Sequence, residues 1–243
     1  MAKYVIGDVH GAYRALVQVL ERSNFDFEKD ELISLGDIAD GWSETSECVD
    51  LLLKIKNFIG IRGNHDVWLY DWLKYGKTPL IWTQQGGQAT IDSYIRTEKF
   101  VTDEHKNFWF NQVDWHIDSE NRLFIHGGFD TYYIKNEDYS FEKSASYMVN
   151  AGSIAKECHW NRSLFEKVAI AAYKGQELNV LDMFKEIYVG HTSVKKLFNY
   201  KNFWNMDTGA GWHGVLTMMN VETKEVFTSD EVSKLYPEEK GRK

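Results

Sequence analysis

The sequence predicts an α/β fold, because short apolar segments repeatedly end near glycine and are followed by amphipathic helical segments. Three such junctions occur within the first 66 residues, a repetition typical of βαβ units and a largely parallel sheet. With 243 residues, the chain is long enough to bury one large hydrophobic core. We find no internal repeat and no linker rich in Pro, Gly and Ser, and therefore expect a single domain over residues 1–243.

The first three predicted strands lie at residues 3–6, 32–35 and 58–61. Each is followed within two residues by a glycine, namely Gly7, Gly36 and Gly63. Glycine at such a point lets the backbone turn sharply without a side chain that would crowd the loop. Helices are predicted for residues 13–20 and for about residues 44–56.

The rest of the chain alternates between longer helical segments and short strands. Residues 66–111 have a helical pattern rich in Trp and Tyr, interrupted by Pro79, Gly86 and Gly87. Strands are predicted at residues 122–125, 186–189, 203–206, 215–221 and 225–228. Residues 141–173 are mixed, with helix favoured, and the charged segment 237–243 is expected to be frayed.

The composition excludes several classes of protein. There are 28 Lys and Arg against 36 Asp and Glu, a formal net charge of −8, which argues against a basic surface for nonspecific nucleic-acid binding. We therefore expect no stable nucleic-acid partner. No run of about 18 apolar residues suits a membrane helix, and the N-terminal residues are too polar for a secretory signal, so a cytoplasmic location is expected. The two cysteines, Cys48 and Cys158, are expected to be ordinary thiols.

Polar side chains lie at five predicted strand ends, where functional groups gather in parallel sheets. They are carboxylates, imidazoles and one amide: Asp8, His10, Asp37, Asp40, Asn64, His65, His126 and His191. These donors suit manganese, iron or zinc, whereas the lack of paired cysteines argues against a structural zinc site. They are more numerous than one ion needs, which favours two ions about 3.5–4 Å apart that share a carboxylate. A single Asp is more often a helix N-cap, and a single His more often a core residue, so the interpretation depends on the set.

Five short motifs together resemble those of calcineurin-like metallophosphoesterases. They are GDVHG at residues 7–11, GDIAD at 36–40, RGNHD at 62–66, HGG at 126–128 and GHT at 190–192. The sequence is most similar to phosphoprotein phosphatases of bacterial and phage type, with the diadenosine tetraphosphate hydrolases beside them. The stretches WTQQGGQAT at residues 82–90 and DTGAGWHGVLT at 207–217 support that subgroup. The resemblance covers roughly residues 3–220.

The resemblance implies two packed mixed β-sheets flanked by helices, forming one catalytic domain that binds two divalent ions. Manganese is expected, with iron, zinc or nickel as alternatives. By position, Asp8 and His10 would bind the first ion, Asp37 would bridge both, and Asn64, His126 and His191 would bind the second. A hydroxide shared by the ions would then attack a phosphate ester. His65 would protonate the leaving oxygen and Asp40 would orient His65.

The resemblance also implies that Arg62 and Arg162 hold the phosphate group. One departure concerns the end of the second motif, where the family usually has Asp-Arg-Gly and this chain has Asp40, Gly41 and Trp42. The family arginine is therefore missing, which raises the question of how a phosphate monoester is held. Trp42 is a candidate aromatic contact for a ring or a peptide.

The leading functional hypothesis is a serine/threonine protein phosphatase with broad activity on phosphate monoesters. The alternatives are a dinucleoside tetraphosphate hydrolase or nucleotide phosphatase, and, in another class, a catalytically silent module that binds phosphorylated partners. The intact ligand positions argue against the silent module, and the acidic charge disfavours a nuclease. The expected partners are a phosphorylated protein, a peptide or a nucleotide, with no membrane.

Overall fold

The computed structural model describes residues 1–99, 102–129 and 157–242. In these residues two five-stranded β-sheets pack together. The first sheet contains β1 (Lys3–Ile6), β2 (Glu31–Ser34), β3 (Asn57–Gly60), β9 (Thr217–Asn220) and β10 (Val226–Thr228). The second contains β4 (Trp115–Ile117), β5 (Arg122–Ile125), β6 (Glu186–Val189), β7 (Phe198–Tyr200) and β8 (Phe203–Asn205).

The α-helices of the described residues are α1 (Tyr13–Arg22), α2 (Thr45–Leu52), α3 (Asn64–Tyr75), α4 (Leu80–Trp82), α5 (Gln88–Thr97), α6 (Asp103–Phe110), α7 (Ser163–Lys174) and α8 (Val232–Leu235), and a 3-10 helix spans Asn179–Met183. A π-helical turn (Thr83–Gly87) joins α4 to α5. In the described part of the chain, no helix combines the length and apolar character needed to cross a bilayer.

Both sheets are mixed, because each combines three adjacent parallel strands with antiparallel pairs. The order of the first is β10-β9-β1-β2-β3, in which β1, β2 and β3 are parallel. The order of the second is β4-β5-β6-β8-β7, in which β5, β6 and β8 are parallel. The predicted pair of mixed sheets flanked by helices is therefore confirmed.

The core has three layers, which follow from the alternation of side chains along each strand. Val5 and Ile33 of the first sheet form one buried cluster with Phe124 and Tyr188 of the second, whose rings stack at 4.9 Å. The neighbouring strand positions point outward. On the first sheet they pack against α1 and α2, and on the second against α7.

Most predicted elements match the structure within a few residues, and β5 and β6 have the predicted bounds. The prediction of a frayed C-terminal segment is wrong for its described part, residues 237–242. There the backbone amide and hydroxyl of Ser43 donate hydrogen bonds to Glu239, at 3.0 and 2.7 Å, and the amide of Arg242 donates to Gly211 O at 2.9 Å. The prediction for residues 141–173 lies partly outside the described residues, and its described part contains most of α7.

Candidate metal centre

Five loops converge at one edge of the two sheets because each follows the carboxyl end of a parallel strand. The amides of Val9 and His10 donate to Asp37 O at 3.0 and 2.8 Å, which joins the loops after β1 and β2. The amide of Gly190 donates to His126 O at 2.8 Å, which joins the loops after β5 and β6. These bonds bring side chains from distant parts of the sequence into one cluster.

The first group of possible metal ligands contains Asp8, His10 and Asp37, all of them buried. His10 Nε2 lies 4.0 Å from Asp8 Oδ2 and 3.8 Å from Asp37 Oδ2. Such spacings leave room for one cation between the three donor atoms. The structure thus brings together the side chains that the sequence predicts for the first ion.

The second group contains Asp37, His126 and His191, with Asn64 beside them. His126 Nε2 lies 3.4 Å from Asp37 Oδ2 and 3.2 Å from Asn64 Oδ1. The amide of His191 also donates to Asp8 Oδ2 at 3.1 Å, which ties this group to the first one. Asp37 belongs to both groups, as a carboxylate shared by two ions would.

The histidine tautomers suit metal binding. His10 Nδ1 lies 3.1 Å from Ala39 O and 3.0 Å from Asp40 O, and His126 Nδ1 lies 2.8 Å from Leu35 O. Because a carbonyl oxygen only accepts, both Nδ1 atoms carry hydrogen and each Nε2 lone pair can face a cation. The donor set of carboxylate, imidazole and amide oxygen thus fits a pair of borderline divalent ions.

Two glycines let the carboxylates approach the backbone closely. A methyl group at Gly190 would lie 2.2 Å from Asp8 Oδ1, and one at Gly63 would lie 2.1 Å from Asp37 Oδ1. Both distances are far shorter than a van der Waals contact. Glycine is therefore required at these positions by the packing of the site.

Four of the site residues have backbone conformations that side chains rarely adopt. The φ angles of His10, Asp37, Asp40 and His191 are +52°, +48°, +71° and +66°. Each such residue costs about 1–3 kcal/mol unless the surrounding structure fixes it. This strain is concentrated in the loops that aim the polar side chains at one another.

The electrostatics of the cluster favour a cation. Burial raises the pKa of Asp8 well above its ordinary value, and the charge of Asp207 adds to the rise. Burial alone would raise the pKa of Asp37 too, but the charges of His126 and His65 hold it well below its ordinary value. Burial opposes the charge of His126, yet Asp37 raises its pKa to about 9. A divalent cation could replace the histidine proton as the partner of Asp37.

His65 and Asp40 form a buried pair beside the carboxylates. His65 Nδ1 lies 2.6 Å from Asp40 Oδ2. The Asp40 carboxylate also accepts hydrogen bonds from Trp82 Nε1 at 2.7 Å and Thr90 Oγ1 at 2.8 Å, which fix its orientation. In contrast, the buried His65 Nε2 has no hydrogen-bond partner in the described part of the chain.

Burial shapes the protonation of this pair. It raises the pKa of Asp40 well above its ordinary value and lowers the pKa of His65 to about 3. Both shifts favour a neutral pair that shares one proton between Oδ2 and Nδ1. The second ring nitrogen, Nε2, can then carry the hydrogen that faces the site.

A cavity of about 250 Å³ opens beside the cluster. It is lined by Asn64, Trp68, Ile81, Gln85, Trp160, Arg162, His191 and Arg242. Arg162 is exposed at its rim. Arg62 is not among the lining residues, because its guanidinium donates to Gln112 O at 2.9 Å, pairs with Asp114 at 3.4 Å and lies over the ring of Tyr70.

The interpretation of Trp42 as a substrate contact is wrong. Its side chain is fully buried, stacks on Tyr236 with ring centroids 5.0 Å apart, and donates from Nε1 to Ala210 O at 2.7 Å. Motif spacing alone does not reveal which side of the loop faces the core.

Two buried aspartates outside the predicted set of site residues, Asp66 and Asp207, also interact with the site. Asp66 accepts hydrogen bonds from the amides of Ile38 and Ala39 at 3.0 and 3.1 Å, which fixes the loop after β2. Burial raises the pKa of Asp207 to about 6, and the charge of Asp37 contributes to this rise. Both aspartates lie in stretches that the family resemblance covers. This resemblance is the sequence signal from which they could have been identified.

Comparison with known proteins gives consistent similarities along most of the chain. Residues 1–203 match the family model described as calcineurin-like phosphoesterase. The chain is 24% identical over 219 residues to serine/threonine-protein phosphatase 1 from Salmonella typhimurium, covering 90% of this chain and 91% of that protein. It is 25% identical over 271 aligned positions to the symmetrical bis(5'-nucleosyl)-tetraphosphatase from Pasteurella multocida, covering 96% and 98%.

The fold is also similar to that of a solved cold-active protein tyrosine phosphatase. The TM-score is 0.59 at 17% sequence identity, and the match covers 95% of this chain and 79% of that structure. At this level of identity the similarity concerns the fold alone.

Proposed function

Because this chain belongs to the calcineurin-like phosphoesterase family and is a metal-dependent phosphoric ester hydrolase, we propose that its substrates are phosphate monoesters, with phosphoserine and phosphothreonine in proteins first among them. The observation that carries the proposal is the shared Asp37 carboxylate between two donor groups, with the free Nε2 of His65 close by. A catalytically silent module would have no need to keep this acid position.

The proposed ligands divide between two ions, as the donor groups do. Asp8 and His10 would hold the first ion, Asp37 would be shared by both, and Asn64, His126 and His191 would hold the second. When bound, the two ions supply the activated water and neutralise charge on the phosphoryl oxygens. We propose manganese as the native metal, because the donor set mixes carboxylate, imidazole and amide oxygen.

His65 has the role of general acid in this proposal. Asp40 holds the ring through Nδ1, so Nε2 faces the site with its hydrogen. As the ester bond breaks, that hydrogen passes to the leaving oxygen, and the proton shared with Asp40 moves fully onto Nδ1. A general acid placed in this way contributes typically about 10²–10⁴-fold in rate.

Arg162 is proposed to bind the phosphate group, since it lines the cavity beside the proposed ligands Asn64 and His191. Arginine suits this role because its guanidinium can give two parallel hydrogen bonds to phosphate. Arg62 is proposed to act less directly, because its guanidinium is engaged with Asp114, which also accepts from His159 at 3.0 Å. Through Asp114 and His159, Arg62 would then position the chain segment that leads to Arg162 at the cavity rim.

The proposal is tested with purified protein loaded with manganese. Turnover of a phosphoserine or phosphothreonine peptide and of an aryl phosphate is expected, with loss on chelation and recovery when manganese returns. A phosphotyrosine peptide is included to measure selectivity. Absence of turnover of every monoester after metal titration would remove the proposal.

A second candidate is a dinucleoside tetraphosphate hydrolase, which one of the similar proteins is named for. Trp42 no longer supports it, because that ring is buried. Trp68 and Trp160 do, since their rings lie 6.5 Å apart at the cavity and could contact a nucleobase. Faster hydrolysis of a dinucleoside polyphosphate than of the phosphopeptides, under identical conditions, would favour this candidate. A cytoplasmic location stays a prediction from the sequence.

A further inference from the structure

An arginine from the C-terminal segment reaches the proposed metal centre. Arg242 Nη1 lies 3.3 Å from His10 Nε2, and the side chain lines the same cavity as Arg162 and His191. The sequence gives no local indication of this, because 232 positions separate Arg242 from His10. The contact results from the way in which the C-terminal segment packs across the loops after β1 and β2.

The backbone around Arg242 is held firmly against those loops. Its amide donates to Gly211 O at 2.9 Å, and the preceding Gly241 lies so close to Trp42 that a methyl group there would be 2.8 Å from the indole ring. Gly241 also has a φ of +63°, a conformation that favours glycine. The burial of Trp42 is thus explained, since its ring supports the segment that carries Arg242.

The side chain of Arg242 runs through a channel bordered by glycines. A methyl group at Gly41 would lie 3.2 Å from Arg242 Cγ, and one at Gly211 would lie 2.9 Å from Arg242 Cδ. The guanidinium lies over the ring of Trp212, at 5.0 Å from its centroid. Side chains at the two glycines would therefore obstruct the path of the arginine to the site.

The guanidinium of Arg242 is available for an anionic ligand. Apart from the contact of Nη1 with His10 Nε2, the guanidinium has no carboxylate within ion-pair distance among the described residues, and its buried Nε has no hydrogen-bond partner. An arginine of this kind, beside an exposed arginine at a cavity rim, suits bidentate binding of phosphate. The residue is half-buried, and charges withdrawn from water are usually paired, so a guanidinium without a carboxylate partner indicates an anionic ligand.

We propose that Arg242 is a substrate-binding residue that holds the phosphate group together with Arg162. It would take the place of the arginine that the family usually has next to Asp40, where this chain has Gly41. Two facts support the replacement: Arg242 Cγ lies beside Gly41, and the φ of +115° at Gly41 disfavours any side chain there. The inference rests on the proposed function, because it assumes that the cavity receives a phosphate ester.

The test compares wild type with Arg242→Ala and Arg242→Lys, all loaded with manganese. For Arg242→Ala we expect the KM for an aryl phosphate and the inhibition constant for inorganic phosphate to rise about 10–100-fold, with a smaller change in kcat. Arg242→Lys should lie in between, because lysine keeps the charge but not the two parallel hydrogen bonds. Added guanidinium ion should partly restore phosphate binding to Arg242→Ala.

Lys240→Ala is the matched control, because it removes an exposed cation from the same segment. Its KM and its phosphate inhibition constant should equal those of wild type. Calorimetric titration with inorganic phosphate gives the same comparison without turnover, and metal analysis should show equal manganese in all variants. If Arg242→Ala folds poorly, the phosphate affinity of Arg242→Lys decides the question.

Three results would overturn the inference: unchanged phosphate affinity in Arg242→Ala, an equal loss in Lys240→Ala, or higher activity and manganese content in Arg242→Ala. The last would mean that the guanidinium competes with a cation at His10. These outcomes are distinct from failure of the proposed function, in which the wild-type protein itself turns over no monoester.

Discussion

The two ring nitrogens of His65 have opposite surroundings, and the difference assigns them different tasks. Nδ1 is fixed by Asp40 at 2.6 Å, whereas Nε2 is buried without a partner in the described residues. The ring of the proposed acid is therefore oriented through Nδ1, and its Nε2 is free to donate a hydrogen to a substrate. Because His65 belongs to neither group of possible metal ligands in the described part of the chain, its loss should affect proton transfer and leave the cation in place.

We predict that His65→Ala lowers kcat by about 10²–10⁴-fold while manganese content stays at the wild-type level. The measurements are steady-state kinetics on an aryl phosphate and metal analysis of the same samples. His213→Ala, which removes an exposed imidazole, is the control and should keep wild-type kcat. Equal rates for His65→Ala and wild type would contradict the proposed acid.

Residue identities at the site were largely predictable, because each proposed ligand lies in a short motif at a strand end. Asp8, Asp37 and His191 are brought together as expected. Arg242 was not predictable, because only tertiary packing places it at the site. The same limit explains Trp42, whose partners Ala210 and Tyr236 lie more than 160 positions away.

At the scale of elements, the segment from α4 to α5 acts as a support for Asp40. The π-helical turn between these helices bends the chain at Gly86, where φ is +106°. As a result Trp82 and Thr90, on either side of the turn, both donate to the Asp40 carboxylate. The interruption was predicted from Pro79, Gly86 and Gly87, but its role was not, since local pattern carries no information on what a turn contacts.

We predict that Gly87→Ala lowers kcat about 10-fold, because the added methyl group would lie 2.4 Å from Trp82 Nε1 and would displace the indole from Asp40. Kinetics and thermal unfolding should be measured on the same preparation. The fall in kcat should be larger than the fall in the fraction of folded protein at the assay temperature, which the thermal unfolding curve gives.

Gly76→Ala is the matched control for that substitution. Gly76 ends α3 with a φ of +67°, and a methyl group there would meet nothing within 4 Å. We expect it to cost roughly 1–2 kcal/mol of stability through backbone strain with no change in kcat. A wild-type kcat in Gly87→Ala, or an equal fall in both variants, would argue against the supporting role of this segment.

At the scale of the whole molecule, the sequence predicts the parallel βαβ units well. It predicts less well the antiparallel pairing that completes the first sheet. The junctions after β1, β2 and β3 follow one another in the sequence, so their pattern is local. In contrast, β9 pairs antiparallel with β1 through contacts such as Tyr4 with Asn220. Partners so distant in sequence leave no local periodic signal of their pairing, and β9 itself, with the sequence TMMN, has one β-branched residue and no aromatic one.

The end of the sheets away from the site contains a cluster of charged side chains that joins them, with Arg122 and Asp118 buried at its centre. Arg122, at the start of β5, pairs with Asp118 at 3.3 Å and with Glu222 at 2.7 Å, and its side chain is 1% exposed. Lys3 of β1 pairs with the same Asp118 at 2.7 Å. Lys3 belongs to the first sheet, and Glu222 follows a strand of that sheet, whereas Arg122 belongs to the second sheet. The cluster therefore connects both sheets.

We predict that Asp118→Asn lowers the free energy of unfolding by about 1.5–3 kcal/mol at neutral pH with unchanged kcat, because the cluster lies at the opposite end of β5 from His126. Burial alone would raise the pKa of Asp118, but the hydrogen bond and charge of Lys3 hold it below its ordinary value. The stabilisation is therefore complete above the unfolded-state pKa of about 3.9 and is lost as the pH falls through the lower folded-state pKa.

Urea unfolding of wild type and Asp118→Asn between neutral and acidic pH measures this dependence. The difference in free energy of unfolding should be constant down to about pH 5 and then shrink, because the wild-type carboxylate becomes protonated while the amide does not titrate. Asp71→Asn is the control, since its pairing with Lys77 is solvent-exposed and should contribute less than about 1 kcal/mol. A difference that is independent of pH, or a loss of kcat in Asp118→Asn, would show that the cluster does not act through ionised Asp118 alone.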